Sequence, residues 1–254
     1  IYVQSLSYIE FLCSHNLEDN DEALWKYINY GGLPGLIQTG LDDEDLVWDY
    51  IKGVYHTVVL KDVVERHSIR NVAFLNVLLR YFSDTVGKLT SLNNICRYMK
   101  SQGQDVAVKS VSAYLSYFRD AYLLASVGRY DVHGKRLLES NEKLYFGDVG
   151  IRNLIAGGER EGDIEKVLEN IVYQQLLRMG YTVNVGQLKA GEVDFVCTRT
   201  NERVYVQVAY LVASPQTEER EFGCLENIND NYPKYVISMT PFVKRSDRDG
   251  ITHI

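Results

Sequence analysis

The chain of 254 residues has room for one large domain or two to three small ones. Its 46% hydrophobic and 24% charged residues are those of an ordinary globular protein, and 4 prolines with 19 glycines argue against long disordered linkers. No apolar run reaches the roughly 18 residues of a membrane span, and the net charge of −7 conceals an asymmetry. Residues 1–85 hold six basic and thirteen acidic side chains, residues 86–145 nine and five, and residues 146–254 twelve and sixteen. A cationic middle between acidic flanks is either a phosphate-binding surface or a face turned toward an acidic neighbour in the same protein.

The opening "IYVQSL" lacks a Met and starts as a strand would, and the closing "GITHI" is strand-like, so the chain reads as a piece of a longer protein. Residues 1–12 predict a strand and a short turn of helix. Residues 21–30 predict a helix ended by Gly31 and Gly32, and "GGLPG" a rigid turn. No G-x-x-x-x-G-K-[ST] segment occurs, so the chain has no phosphate loop of its own. "DDED" suits a helix N-terminus, and Val47, Tyr50, Ile51, Val54 and Val58 give the helix of 42–66 an apolar face.

The next segment predicts three helices. One spans 71–83, with Val72, Leu75, Leu78, Leu79 and Phe82 on one face. The second is capped by Thr90 or Ser91, and the third runs over about 107–121. In the third, Val108, Val111, Leu115, Phe118 and Tyr122 face inward, leaving Lys109, Ser110, Ser112, Ser116 and Arg119 outward. Two strands follow around a turn at His133-Gly134, with Lys135 and Arg136 at the tip. Three helices and a hairpin in this order make a winged helix-turn-helix, whose third helix would be the recognition helix. Lys109, Ser110, Ser112, Arg119, Lys135 and Arg136 are the candidate DNA contacts. Docking on protein is the competing use of the same module.

The last segment predicts α-β-β-β-α-β: a helix capped at Asp163 and closed by Gly180, strands at "YTVNVG", "EVDFVC" and "RVYVQVAYLV", a helix at "TEEREFGCLENIND" and a strand at "KYVISMT". Four scattered cysteines without C-x-x-C spacing read as reduced thiols, which points to the cytoplasm. Five scattered histidines give no zinc-like spacing.

In that last segment a helix carries Glu169, the second strand Asp194 and the third strand Gln207-Val208-Ala209. This arrangement resembles the PD-(D/E)XK nucleases, with Gln207 and Ala209 standing where the pattern has its second acid and its lysine. The resemblance implies a Mg²⁺ site built on Glu169 and Asp194, because hard cations take carboxylate oxygens. Gln207 supplies no charge and Ala209 no cation, which implies a degenerate site. Lys189 and Arg220 are candidate replacements for the lysine. Arg220 would alternatively pair with Asp194 or Glu169 and take the place of a metal, and Gln207 would pair with Asp194 or Thr217.

Over most of its length the chain resembles the C-terminal part of a family of prokaryotic AAA-type P-loop ATPases. The resemblance is carried by "YVQSLSYIEFL", "YGGLPG", "VLKDVVER", "LYFGDVGIRN", "LENIVYQQLLRMGY", "EVDFV", "YVQVAY", "TEERE" and "NYPKYVI". It implies an α+β or α/β chain: residues 1–66 the end of the ATPase domain and a helical connector, 67–150 the winged helix-turn-helix, and 151–254 a restriction-endonuclease-like αβββαβ domain. It further implies an ATPase domain in cis that uses ATP and Mg²⁺, with no cofactor in this piece and no membrane partner. Three functions follow as alternatives: a DNA- or protein-binding module with an inactive nuclease-like fold, a Mg²⁺-dependent endonuclease with a relocated catalytic lysine, or a structural dimerisation module.

Overall fold

The computed structural model describes residues 4–158, 161–189, 191–241 and 246–254. It is a mixed α/β chain that packs as two units: Ile1–Ser126 with Leu144–Arg160, and Val127–Lys143 with Glu161–Ile254. The division cuts the segment 67–150, because the outer half of its hairpin packs with the second unit.

The first unit is helical. Its elements are α1 (Tyr8–His15), α2 (Asp21–Tyr30), α3 (Leu36–Thr39), α4 (Glu44–Thr57), α5 (Val72–Asp84), α6 (Leu92–Ser101), α7 (Val108–Asp120) and α8 (Val149–Ala156). No strand precedes α1 over residues 4–7, and residues 1–3 lie outside the described residues. Ser7 is instead a helix cap: its hydroxyl accepts the Glu10 N–H while the Glu10 carboxylate accepts the Ser7 N–H. Asn20, Asp43, Asn71 and Ser91 cap α2, α4, α5 and α6 in the same sense, Ser91 rather than Thr90 serving α6. Beyond α4 the chain continues as a π-helix, Val58–Glu65, which turns Val59 and Val63 inward.

The apolar faces of α5, α6 and α7 close on one another through Leu75, Leu79, Phe82, Met99, Val111 and Phe118, all fully buried. Two expected core positions of α7 lie outside. Val108 is 41% exposed at the first helical residue, and Tyr122 is 61% exposed beyond the helix end, where its φ of 55° turns it away. Lys109, Ser110, Ser112, Ser116 and Arg119 are exposed on the opposite face.

Helix α8 was not apparent from periodicity, and it explains two glycine-rich strings at once. Asp148 caps it, its Oδ1 accepting from the N–H groups of Gly150 (2.9 Å) and Ile151 (3.2 Å), and its Oδ2 accepts from the Gly32 N–H (3.0 Å). A Cβ on Gly150 would stand 2.0 Å from the Tyr30 carbonyl oxygen, and one on Gly32 2.2 Å from that of Leu6. Only glycine permits this approach. Arg152, 1% exposed, donates twice to the Ser83 carbonyl (3.0 and 2.8 Å), and the Asn153 amide donates to the carbonyls of Ile28 and Asn29.

The second unit is built on a sheet of strands β1 (Leu124–Asp131), β2 (Arg136–Phe146), β3 (Thr182–Gln187), β4 (Glu192–Arg199), β5 (Glu202–Ala209), β6 (Lys234–Ser238), β7 (Ser246–Arg248) and β8 (Ile251–His253), in the order β2-β1-β3-β4-β5-β6-β8-β7. Pairing is parallel for β1–β3, β5–β6 and β6–β8, and antiparallel for β3–β4, β4–β5 and β7–β8. Two helices, α9 (Ile164–Arg178) and α10 (Pro215–Glu226), pack on this sheet. Covered strands need not alternate, and β4 reads apolar along most of its length, with Val193, Phe195, Val196 and Cys197 all buried. Ser214 caps α10, whereas Asp163 at the head of α9 makes no cap bond and pairs with Lys166 instead.

The hairpin strands are the ones expected, around a turn at His133-Gly134, but they do not form a free wing. Strand β1 joins the larger sheet through Arg129↔Val185, Tyr130↔Gly186 and Asp131↔Gln187. This pairing carries β2 into the second unit as far as Lys143.

Candidate functional site

Strands β4 and β5 part at two polar residues, Asp194 and Gln207. The regular ladder reaches Phe195↔Val206. Beyond it, the Gln207 side-chain oxygen accepts the Asp194 N–H (3.2 Å), and the Asp194 Oδ2 accepts the Val208 N–H (3.0 Å). Two side chains thus replace two backbone partners, and the strands splay without orphaning a buried donor. The Gln207 amide nitrogen then donates to Glu221 of α10 (2.9 Å).

The splay opens a cleft of about 580 Å³, lined among others by Glu169, Glu192, Asp194, Gln207, Arg220 and Glu221. Three of these carboxylates converge on one ammonium. Lys143 Nζ lies 2.9 Å from Glu169 Oε1, 2.9 Å from Glu192 Oε1 and 3.1 Å from Asp194 Oδ1. Its side chain is 2% exposed, against 14% for Glu169, 11% for Asp194 and 35% for Glu192. Burial pushes the lysine pKa down, but attraction to Asp194, Glu169 and Glu192 outweighs it and holds the ammonium above the ordinary lysine range. Lys143 is therefore charged throughout the neutral range, and its three donors each have a carboxylate.

Of the residues expected at this site, Glu169, Asp194 and Gln207 lie together, but the cation beside them is neither Arg220 nor Lys189. Arg220 pairs with Glu221 (2.6 Å), which accounts for its charge; the cation against Glu169 and Asp194 is Lys143. Lys189 is exposed in the turn after β3 and does not line the cleft. Thr217 bonds to Ser214, not to Gln207. Ala209, in the position of the pattern's lysine, is 2% exposed and pairs with Ser238 of β6. Two signals pointed to the missed residues. Lys143 precedes the buried run Leu144-Tyr145-Phe146, and Glu192 lies two residues before Asp194, on the same strand face.

The Mg²⁺ that the nuclease resemblance implies does not fit these residues as they are arranged. One oxygen of Asp194 accepts the Lys143 ammonium and the other the Val208 N–H, and Gln207 is neutral and already bonded. Among the described residues no group of three or more His, Cys, Asp or Glu side chains is disposed to hold a metal ion. The thiol of Cys224 also borders the cleft. Burial, with Asp194 and Glu221 beside it, pushes that thiol up to about 12, so it is not a thiolate nucleophile at neutral pH.

The candidate DNA contacts fall in different units. Lys109, Ser110, Ser112 and Arg119 belong to the first and Lys135 and Arg136 to the second. All six are exposed, and Arg136 makes a long ion pair with Asp131 (3.8 Å). No helix among the described residues is long and apolar enough to cross a membrane.

Two relatives match the chain. A protein of Haemophilus influenzae is 31% identical over 255 positions, covering 99% of this chain and 62% of its own length. The protein MJ1544 of Methanocaldococcus jannaschii is 30% identical over 206 positions, covering 79% of this chain and 44% of its own length. Both are called uncharacterized, and the chain spans less than two thirds of either. The match to Lys143 and to the glycine-rich clamp of the first unit falls within a family segment, residues 21–161, whereas Glu169, Glu192 and Asp194 lie beyond it. That segment is more than half of the chain, and the chain belongs to the family described as a domain of unknown function, DUF8612.

Proposed function

We propose that the chain is the C-terminal, non-ATPase part of an AAA-type ATPase, a DNA- or protein-binding module whose nuclease-like fold does not cut. The observation that carries this reading is the Lys143 ammonium bonded to Glu169, Glu192 and Asp194. Phosphodiester hydrolysis at such a site needs carboxylate oxygens free for hard cations, and here they are engaged by the protein itself. The order α5-α6-α7-β1-β2 supports a winged helix, with its hairpin built into the neighbouring sheet. The order α9-β3-β4-β5-α10-β6, with Glu169 and Asp194 brought together, supports the nuclease-like fold. Both relatives extend well beyond the stretch they share with this chain, which leaves room for a P-loop domain in cis.

Two measurements test the reading. Plasmid DNA incubated with the chain in Mg²⁺ or Mn²⁺ should remain uncut; cutting that disappears in Asp194→Ala would sink it. Binding to duplex DNA, followed against salt, separates the two kinds of partner, because phosphate contacts give a steep negative slope. A flat slope, unaffected by Lys109→Ala with Arg119→Ala, assigns the exposed face of α7 to protein.

One observation favours the endonuclease reading: a lysine does stand beside Glu169 and Asp194, from a different strand than the pattern's. Under that reading the wild-type chain cuts DNA and the Lys143→Met chain does not.

A further inference from the structure

We infer that Lys143 is a tethered counter-ion standing where a divalent cation would otherwise be bound, and that its removal turns Glu169, Glu192 and Asp194 into a divalent-cation site. The inference rests on the nuclease-like reading of the second unit and concerns only the ionic state of its cleft.

Three carboxylate oxygens lie within 3.1 Å of one point, the Lys143 nitrogen. Carboxylates this close repel strongly unless a cation sits among them or one takes a proton. The cation is supplied by β2, a strand held in the sheet through β1 and β3. A tethered ammonium loses no translational freedom on binding and is present at a high effective concentration whatever the free ion concentration. An incoming Mg²⁺ would have to displace it and also shed water, which this ion does reluctantly. The resident ammonium is thus favoured twice, and the site is closed to divalent cations for as long as Lys143 is in place.

The surroundings agree. Glu165 and Glu219 border the same cleft, so among the described residues its lining carries six carboxylates and one cation, Arg220, which is taken by Glu221. The local field attracts cations, and the carboxylate oxygens facing the centre already have one. Glu192, at 35% exposure, is the outermost of the three and the side from which an ion would enter.

The probe is Mn²⁺ alone, measured on the whole chain by calorimetry and by loss of the free-ion electron paramagnetic resonance signal, with no DNA present. The wild type should show no saturable site that depends on Asp194. Lys143→Met should bind one Mn²⁺ per chain at least tenfold more tightly than the wild type, and the further change Asp194→Asn should remove that site. Mn²⁺ should also raise the melting temperature of Lys143→Met and leave that of the wild type unchanged. A folded Lys143→Met chain without a site overturns the inference, as does a wild-type site lost in Asp194→Asn. Should Lys143→Met fail to fold, Lys143→Met with Glu192→Gln removes one of the repelling charges and is read the same way; if neither folds, the wild-type titration decides alone. Cleavage of DNA by the wild type sinks the proposed function, whereas these ion-binding results bear on the counter-ion, so the two failures are told apart.

Discussion

Each unit buries a charge, and the two solve the problem differently. In the first, Asp148 is met by neutral backbone donors from Gly32, Gly150 and Ile151, and burial still pushes its pKa up against those bonds. In the second, Lys143 is met by three full charges, all of them on side chains that line a cleft. The Asp148 arrangement is closed: two of its donors, Gly150 and Ile151, are orphans of a helix N-terminus that need an acceptor anyway, and glycines bring the backbones close. The Lys143 arrangement is overcharged, with more carboxylates than one ammonium neutralises. A structural clamp needs no such excess, and this contrast is the reason for seeking function at Lys143 rather than at Asp148.

The sharpest way to break the contrast is to remove Lys143. Breaking a buried ion pair by deleting one partner costs about 3–5 kcal/mol, so Lys143→Met should lower the urea midpoint more than any other change considered below. The sign with pH is specific. The folded pKa of Lys143 lies above its unfolded value of about 10.4. Its contribution is therefore complete below that value and is lost as pH rises through the folded pKa. The gap between wild type and Lys143→Met at metal-free pH 7 should persist at pH 9. A gap absent at pH 7 would mean the cluster holds nothing together.

Asp148→Ala comes next. It removes a helix cap and leaves buried N–H groups without an acceptor, at about 2–3 kcal/mol in all. Unlike Lys143→Met, it should show no response to Mn²⁺. A stabilisation by Mn²⁺ equal in both variants would erase the distinction between clamp and cleft.

The two clusters also differed in how far the sequence revealed them. Helix α9, strands β3 to β6 and the placing of Glu169, Asp194 and Gln207 were legible, because helical periodicity and strand runs are local and the resemblance supplied their spacing. Lys143 was not, since it reaches Glu169 only through the parallel pairing of β1 with β3, and hairpin sequence carries no trace of a third strand that joins it later. For the same reason the hairpin was legible and its place in the larger sheet was not. Helix α8 is only eight residues long and too apolar to show a face, and the π-helix after α4 has no separate signature. Val108 and Tyr122 matched the helical period of α7 and failed at its ends, where the period no longer governs direction.

Gln207→Glu is a smaller change that restores the pattern's carboxylate and tests whether the cleft tolerates another charge. The amide now donates to Glu221 and accepts from the Asp194 N–H. Glutamate keeps the acceptor but turns the bond to Glu221 into a like-charge contact, so stability should fall by about 1–2 kcal/mol at pH 7. Unchanged stability at pH 7 would show that the cleft is more hydrated than its geometry implies.

The smallest expected effect concerns the far end of the same sheet. His253 on β8 is buried against Phe222 and bonded to Ser238 (2.8 Å). Burial lowers its pKa, opposed by the more weakly acting Glu218 carboxylate. The fold thus prefers the neutral ring. Its contribution is complete above the ordinary histidine value of about 6.5 and is lost as pH falls from there through the folded value. The urea midpoint of the wild type should drop slightly between pH 7 and pH 5, and His253→Gln should drop less over that interval. The direction is opposite to that of Lys143, whose loss comes only in alkali. If His253→Gln follows the wild type in parallel, the buried ring is not what makes the second unit acid-sensitive, and the β8 edge does not set its pH response.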